Sequence, residues 1–113
     1  MQAPQALLNR IGENPLAEAG YKRLVIVMGH LGDFDSMEYA QALVPRLTEI
    51  EAAGIALQAI AIGGEVGAER FCRFTGFPRQ ALLLESGADL HQTLGLYAAV
   101  SYTHLRAHET MVD

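Results

Sequence analysis

The sequence predicts one α/β domain in which helices cover a small parallel sheet. The sequence has two apolar runs, Leu24–Met28 and Ile55–Ile62. Neither run shows the alternation of polar and apolar residues that is typical of a strand with one solvent-exposed face. A helical pattern separates the two runs. Such runs are typical of parallel strands buried on both faces, and a strand–helix–strand order implies a right-handed crossover. The 113 residues, half of them hydrophobic, are enough for one globular core.

Composition and charge exclude several classes of function. No apolar run approaches the roughly 20 residues of a membrane helix. Residues 1–20 show no basic segment followed by an apolar one, so we expect no secretion signal. The net charge of −5 disfavours nucleic acid and anionic membranes as partners. A single cysteine allows no disulfide within the chain, which fits a reducing compartment. We therefore expect a cytoplasmic protein without a cofactor or a metal.

The first segment, residues 1–20, supports two interpretations. Leu7, Leu8 and Ile11 have the spacing of one face of a short helix that begins near Pro4. Terminal segments are often loosely packed, however. We therefore expect an N-terminal arm, followed by a partial domain over residues 21–99.

A long helix is predicted between the two apolar strands. Ser36 can cap its first turn, and Asp33 and Asp35 are alternative caps. Pro45 lies inside the helical pattern and predicts a kink, and Gly54 ends the helix. Its apolar residues recur every three or four positions and predict one buried stripe, formed by Met37, Ala40, Val44, Leu47 and Ile50.

A second helix is predicted after the second strand. It covers about Val66–Thr75, and its two aromatic residues, Phe71 and Phe74, are expected to face the core. Gly76 follows the last helical position, where glycine commonly ends a helix. The pattern therefore repeats the strand-then-helix unit.

A third strand and a short last helix complete the pattern. Pro78 forces extended backbone before the strand, Ala81–Leu84. Ser86–Asp89 matches a capping box and predicts the start of the helix. His91 on this helix is expected to be exposed or to cap it.

The C-terminal tail differs in character from the rest of the chain. Val100–Thr110, VSYTHLRAHET, resembles one reading frame of a transposase adapter used to prepare sequencing libraries. We therefore expect residues 100–113 to be a non-native tail and the natural chain to continue past Ala99. Three tail residues have metal-ligand spacing on a helix, but the H-E-x-x-H arrangement is absent and we assign them no zinc site: His104, His108 and Glu109.

Lys22–Tyr97 resembles the peroxiredoxin-like branch of the thioredoxin superfamily, often labelled AhpC/TSA-like. Three segments carry the resemblance: LGDFDSMEYA (Leu31–Ala40), RFCRFTGFP (Arg70–Pro78) and LHQTLGLY (Leu90–Tyr97). The resemblance implies a truncated thioredoxin-like fold, a parallel βαβαβα core without the C-terminal antiparallel hairpin and helix. Such a core exposes a sheet edge, so we expect marginal stability and self-association through that edge.

The resemblance places a peroxide-reducing cysteine where the loop after the first strand meets the following helix. Free N–H groups and the helix dipole stabilise a thiolate there. In this chain that junction holds no cysteine, and a serine hydroxyl is not redox-active. We therefore expect a binding or interaction role, with an unknown protein or small molecule as partner. The candidate binding residues are His30, Asp33, Asp35 and Ser36.

An enzymatic alternative depends on Cys72, the only thiol. Beside Phe71 on a short helix, it fits a small core residue. If Arg70 and Arg73 share its face, they would lower its pKa. Cys72 would then be the catalytic thiol of a peroxide-reducing antioxidant enzyme.

Two further site types have weaker sequence support. Gly29-x-x-Gly32 and Gly63-Gly64-x-x-Gly67 suggest a nucleotide-binding α/β domain, but neither matches a dinucleotide or phosphate-loop motif. Together with the loop carboxylates, Glu38 could supply oxygen ligands to a hard cation, yet the spacing is not that of a calcium loop. Helix caps and solvated charges are the explanation of these carboxylates that we prefer.

Overall fold

The computed structural model describes residues 4–96 and 108–112. Its helices and strands follow the predicted βαβαβα order, with one helix before it and one strand after it. In chain order they are α1 (Gln5–Ile11), β1 (Lys22–His30), α2 (Phe34–Leu43), α3 (Leu47–Ala52), β2 (Ile55–Ile62), α4 (Glu65–Thr75), β3 (Leu82–Glu85), α5 (Asp89–Thr93) and β4 (His108–Val112). No helix in these residues is both long and apolar enough to cross a bilayer.

The sheet has the strand order β3-β2-β1-β4. β1 and β2 run parallel, in register from Lys22 opposite Ile55, and β2 and β3 run parallel from Ala59 opposite Leu82. The two apolar runs therefore lie side by side in parallel, as predicted. Their burial on both sides explains why the sequence shows no alternation of polar and apolar residues.

Each face of β1 contributes to a different hydrophobic cluster. Ile26 and Met28 pack with residues of α2 and α4, whereas Val25 and Val27 pack on the opposite face with α1. All four side chains are at most 3% exposed. Burying a side chain of this size contributes roughly 1.5–3 kcal/mol as an upper estimate. β1 is therefore the centre of a three-layer arrangement.

Helix α1 is packed, so the expectation of a loose N-terminal arm was wrong. Leu7 is 1% exposed and lies in the second cluster. Arg10 forms an ion pair with Glu85 and donates a hydrogen bond of 2.9 Å to the Leu84 carbonyl. Buried Arg23 on β1 donates a 2.7 Å hydrogen bond to the Gly12 carbonyl. The second face of the sheet needs an apolar cover, and the helical stripe of this segment supplies it.

The helix after β1 breaks at Pro45, as predicted. The chain forms a 3-10 turn over Val44–Arg46 between α2 and α3, because proline cannot donate the hydrogen bond that would continue an α-helix. After α3, Gly54 adopts a φ of 75°, a left-handed conformation that favours glycine. The kink and the helix end therefore both follow from local chemistry.

Two details of the later helices differ from the prediction. Phe74 is 71% exposed rather than inward, because α4 turns Ala68 and Phe71 towards the core instead. Helix α5 begins at Asp89 after Ala88, without a side-chain cap. The predicted capping box over Ser86–Asp89 is therefore not formed.

Strand β4 covers the sheet edge that we expected to be exposed. It runs antiparallel to β1, from Val27 opposite His108 to Arg23 opposite Val112. An unpaired strand edge offers a row of N–H and C=O groups that an extended segment can pair with. Among the described residues, β3 and β4 are the edge strands. His108 and Glu109 thus lie in a strand, not a helix, and His104 lies outside the described residues.

The packing of α1 predicts a large effect of Leu7→Ala. Removing this buried side chain should lower the free energy of unfolding by about 2–5 kcal/mol. Leu16→Ala is the matched control, because Leu16 is 44% exposed and should change stability by about 0.5 kcal/mol or less. Urea denaturation of both variants measures the difference. Equal, small losses would mean that α1 is a loose arm after all.

Candidate functional site

The candidate site lies at the carboxyl ends of the parallel strands, where open α/β sheets commonly bind ligands. Two backbone hydrogen bonds extend the sheet beyond these ends. The Leu31 amide donates to the Ile62 carbonyl, and the Gly63 amide donates to the Glu85 carbonyl, both at 2.9 Å. The loops after β1 and β2 therefore start from fixed positions.

Asp33 caps helix α2 at the junction that the sequence singled out. Its carboxylate accepts a 2.7 Å hydrogen bond from the Ser36 amide. The sequence named Ser36 first as the cap and Asp33 as an alternative, and the structure selects Asp33. Asp35, in the first turn, adds a negative charge at the positive end of the helix dipole.

Ser36 is buried inside the junction and ties its backbone together. Its hydroxyl accepts from the Gly32 amide at 3.2 Å and lies 3.2 Å and 3.1 Å from the carbonyls of His30 and Asp33, to which it can donate. Three of the four candidate binding residues therefore meet through the backbone and the cap. Among the described residues, no group of three or more His, Cys, Asp or Glu side chains could hold a metal ion.

A cleft of about 800 Å³ opens beside this junction. One wall consists of the loop residues Leu31 and Gly32 with Met37 of α2. The other wall is one side of α4, formed by Gly67, Arg70, Phe71, Arg73 and Phe74. The sequence does not predict this cleft, because the walls of the cleft come from two segments far apart in the chain. The spacing of Gly67, Arg70, Phe71 and Phe74 on one helix face was the only local signal.

Cys72 lies away from the cleft, partly buried against the core cluster under α4. Burial raises the pKa of its thiol, and the Arg79 guanidinium only partly opposes this. Arg73, exposed on the cleft side, pairs with Glu69 at 3.0 Å. The cation that acts on Cys72 is therefore Arg79, not Arg70 or Arg73, and the thiol is in the protonated, weakly nucleophilic form at neutral pH.

The glycines of the second loop have structural explanations. A Cβ at Gly63 would meet the Leu31 side chain at 3.0 Å, so close packing explains this glycine. Gly64 is the N-cap of α4, and Glu65 follows in the first turn. A carboxylate at this helix start disfavours a phosphate there, so the structure adds no support for nucleotide binding.

His91 is fully buried beneath the end of β1, and the expectation of an exposed histidine was wrong. Its Nε2 lies 2.6 Å from the Met28 carbonyl, which makes Nε2 the protonated nitrogen. Burial lowers the pKa of His91, and the Met28 carbonyl and Glu85 partly oppose this effect. His91 therefore holds the backbone of β1 at Met28, close to the strand end from which the loop of the candidate site begins.

No family model and no curated protein sequence matches the chain. Solved structures do match. A cysteine-to-serine variant of peroxiredoxin Q from Xanthomonas campestris superposes with a TM-score of 0.60 and 18% identity, over 87% of this chain and 66% of that chain. Bacterioferritin comigratory protein from Xanthomonas campestris, described for its alkyl peroxide reduction activity, gives a TM-score of 0.62 and 16% identity, over 99% of this chain and 73% of that chain.

The chain therefore has a thioredoxin-like fold. More narrowly, it is the peroxiredoxin-like form of that fold, as the resemblance implied. The chain spans about two thirds of the length of the peroxiredoxin Q structure. At these identities the comparison shows the fold alone.

The cap geometry predicts that Asp33→Ala and Asp33→Asn differ. Alanine removes the acceptor of the Ser36 amide and should cost about 1 kcal/mol, whereas asparagine retains a side-chain oxygen and should cost only a few tenths. Chemical denaturation gives both values. Equal losses in the two variants would show that charge, rather than the capping hydrogen bond, is what matters.

Burial of His91 predicts that acid destabilises the fold. The unfolded chain takes up a proton near pH 6.5, whereas folded His91, with its lowered pKa, takes it up only at lower pH. The free energy of unfolding should therefore fall as the pH drops below about 6.5 towards the folded pKa. His91→Gln retains a donor for the Met28 carbonyl but does not titrate, so its urea midpoint should depend less on pH. Identical pH dependence in both proteins would contradict this.

Proposed function

We propose that this chain is a peroxiredoxin-like module that acts by binding rather than by reducing peroxide. The observation that carries the proposal is the junction at the start of α2. There a cysteine thiolate would need the free N–H groups of the first turn, and the Asp33 carboxylate accepts from one of them. Ser36, buried beside it, offers a hydroxyl that cannot exchange electrons.

The binding surface in this proposal is the loop from His30 to Ser36 together with the adjacent cleft. The loop is held by the Ser36 hydroxyl, so it presents a fixed shape to a ligand. Pre-formed sites bind more tightly because less conformational entropy is lost on binding. A single cysteine is consistent with the cytoplasm as the location.

The alternative function is a thiol-dependent antioxidant enzyme that uses Cys72. The one feature in its favour is Arg79, whose charge lowers the pKa of this thiol. Desolvation is the larger effect, however, and it raises the pKa. A partly buried, protonated thiol is a poor nucleophile towards peroxide.

The two functions predict different outcomes with hydrogen peroxide and a dithiol reductant. We expect the chain to add nothing to the uncatalysed consumption of peroxide, and Cys72→Ser to behave identically. The same substitution should leave binding to the cleft unchanged, because Cys72 does not line it. Reductant-dependent peroxide consumption that disappears in Cys72→Ser would replace the binding proposal with the enzymatic one.

A further inference from the structure

Helix α4 contains a glycine that its own packing does not require. Gly67 lies in the third position of the helix, where glycine is an unfavourable residue compared with alanine. A Cβ placed there would meet nothing within 4 Å, and Gly67 is not among the glycines with positive φ. By contrast, Gly63 lies against Leu31, and Gly76 has a φ of 82°. Gly67 therefore leaves a gap in the α4 wall of the cleft, because this position has no side chain.

The surfaces on either side of this gap are apolar. Leu31 and Met37 face the cleft from the loop and α2, and Phe71 and Phe74 face it from α4. Phe74 is 71% exposed, an unfavourable position for a large aromatic ring in water. The volume of about 800 Å³ falls within the range of about 300–1,000 Å³ for small-molecule sites.

The charge of the cleft has one sign. Its ionisable lining residues in the described part of the chain are Arg70 and Arg73, and no carboxylate lines it. Glu69 neutralises Arg73 at 3.0 Å. Within residues 4–96 and 108–112, Arg70 has no such carboxylate partner. The local cation beside apolar walls selects for an anionic group, although the net charge of the chain, −5, opposes it at longer range.

We propose that this cleft binds a small amphipathic anion. Its apolar body lies over Gly67 between Met37 and Phe71, and its acidic head group pairs with Arg70. The inference rests on the proposed binding function and identifies its ligand class. A cationic ligand would meet the like charge of Arg70, and a fully polar one would leave the apolar walls without a partner.

Four probes with the same eight-carbon tail test the ligand class: octanoate, octyl phosphate, octanol and octylammonium. Calorimetric titration of the full chain should show the two anions binding once per chain, about tenfold more tightly than octanol. Octylammonium should bind more weakly than octanol. The tighter of the two anions identifies the head group. Octylammonium or octanol binding as tightly as both anions would overturn the proposal.

Substitutions at Gly67 separate binding from folding. Gly67→Leu fills the cleft while it replaces a poor helix former, so it should weaken octanoate binding at least about tenfold and leave the thermal midpoint unchanged or higher. Gly67→Ala adds only one methyl group in open space and is the matched control, with binding retained. If Gly67→Leu binds octanoate as the parent does, the ligand does not occupy this cleft.

Substitutions of arginine test the head-group contact. Arg70→Gln should weaken octanoate binding about tenfold and leave octanol binding unchanged. Arg46→Gln, an exposed arginine outside the cleft, is the control and should change neither. Equal effects of the two variants would show a general charge effect and would refute the contact. Peroxide reduction through Cys72 would instead refute the proposed function, so the two failures are distinguishable.

Discussion

Burial of β1 on both faces is the constraint on which the rest of this structure depends. Because Val25 and Ile26 point in opposite directions and neither contacts water, each face needs its own apolar cover. Helices α2 and α4 cover one face, and α1 and α5 cover the other. The N-terminal segment is therefore part of the core, and His91 must be buried where α5 meets the strand.

The sequence predicts those features whose cause is local. The apolar runs predict the central strands, Pro45 predicts the helix break, and Gly54 and Gly76 predict helix ends, because each effect depends on one residue and its neighbours. The position of α1 against β1, the burial of His91 and the outward turn of Phe74 depend on which faces meet in three dimensions. The antiparallel β4 likewise depends on an open strand edge rather than on its own sequence pattern.

The candidate site shows the same division. The sequence located the junction at the start of α2 and its lack of cysteine, and it named Asp33 as one of three caps. It named Ser36 first, whereas the structure selects Asp33, because the choice depends on where the chain leaves β1. The cleft could not be predicted at all, because it forms only when the fold brings Leu31 and Gly67 together at the carboxyl ends of the parallel strands.

The chemistry of the junction links the cap to the cleft. The N–H groups at the start of α2 can stabilise either a thiolate or a fixed acceptor. A thiolate that takes part in reactions needs access and changes its charge, whereas the Asp33 carboxylate makes a permanent bond. That bond and the buried Ser36 hydroxyl hold Gly32 and Leu31 in place. Asp33 and Ser36, which stand where the resemblance implies a cysteine, therefore also fix the loop whose residues Leu31 and Gly32 line the cleft. A loop held in one shape beside a cleft is what the proposed binding role requires, because a pre-formed site loses less conformational entropy on binding.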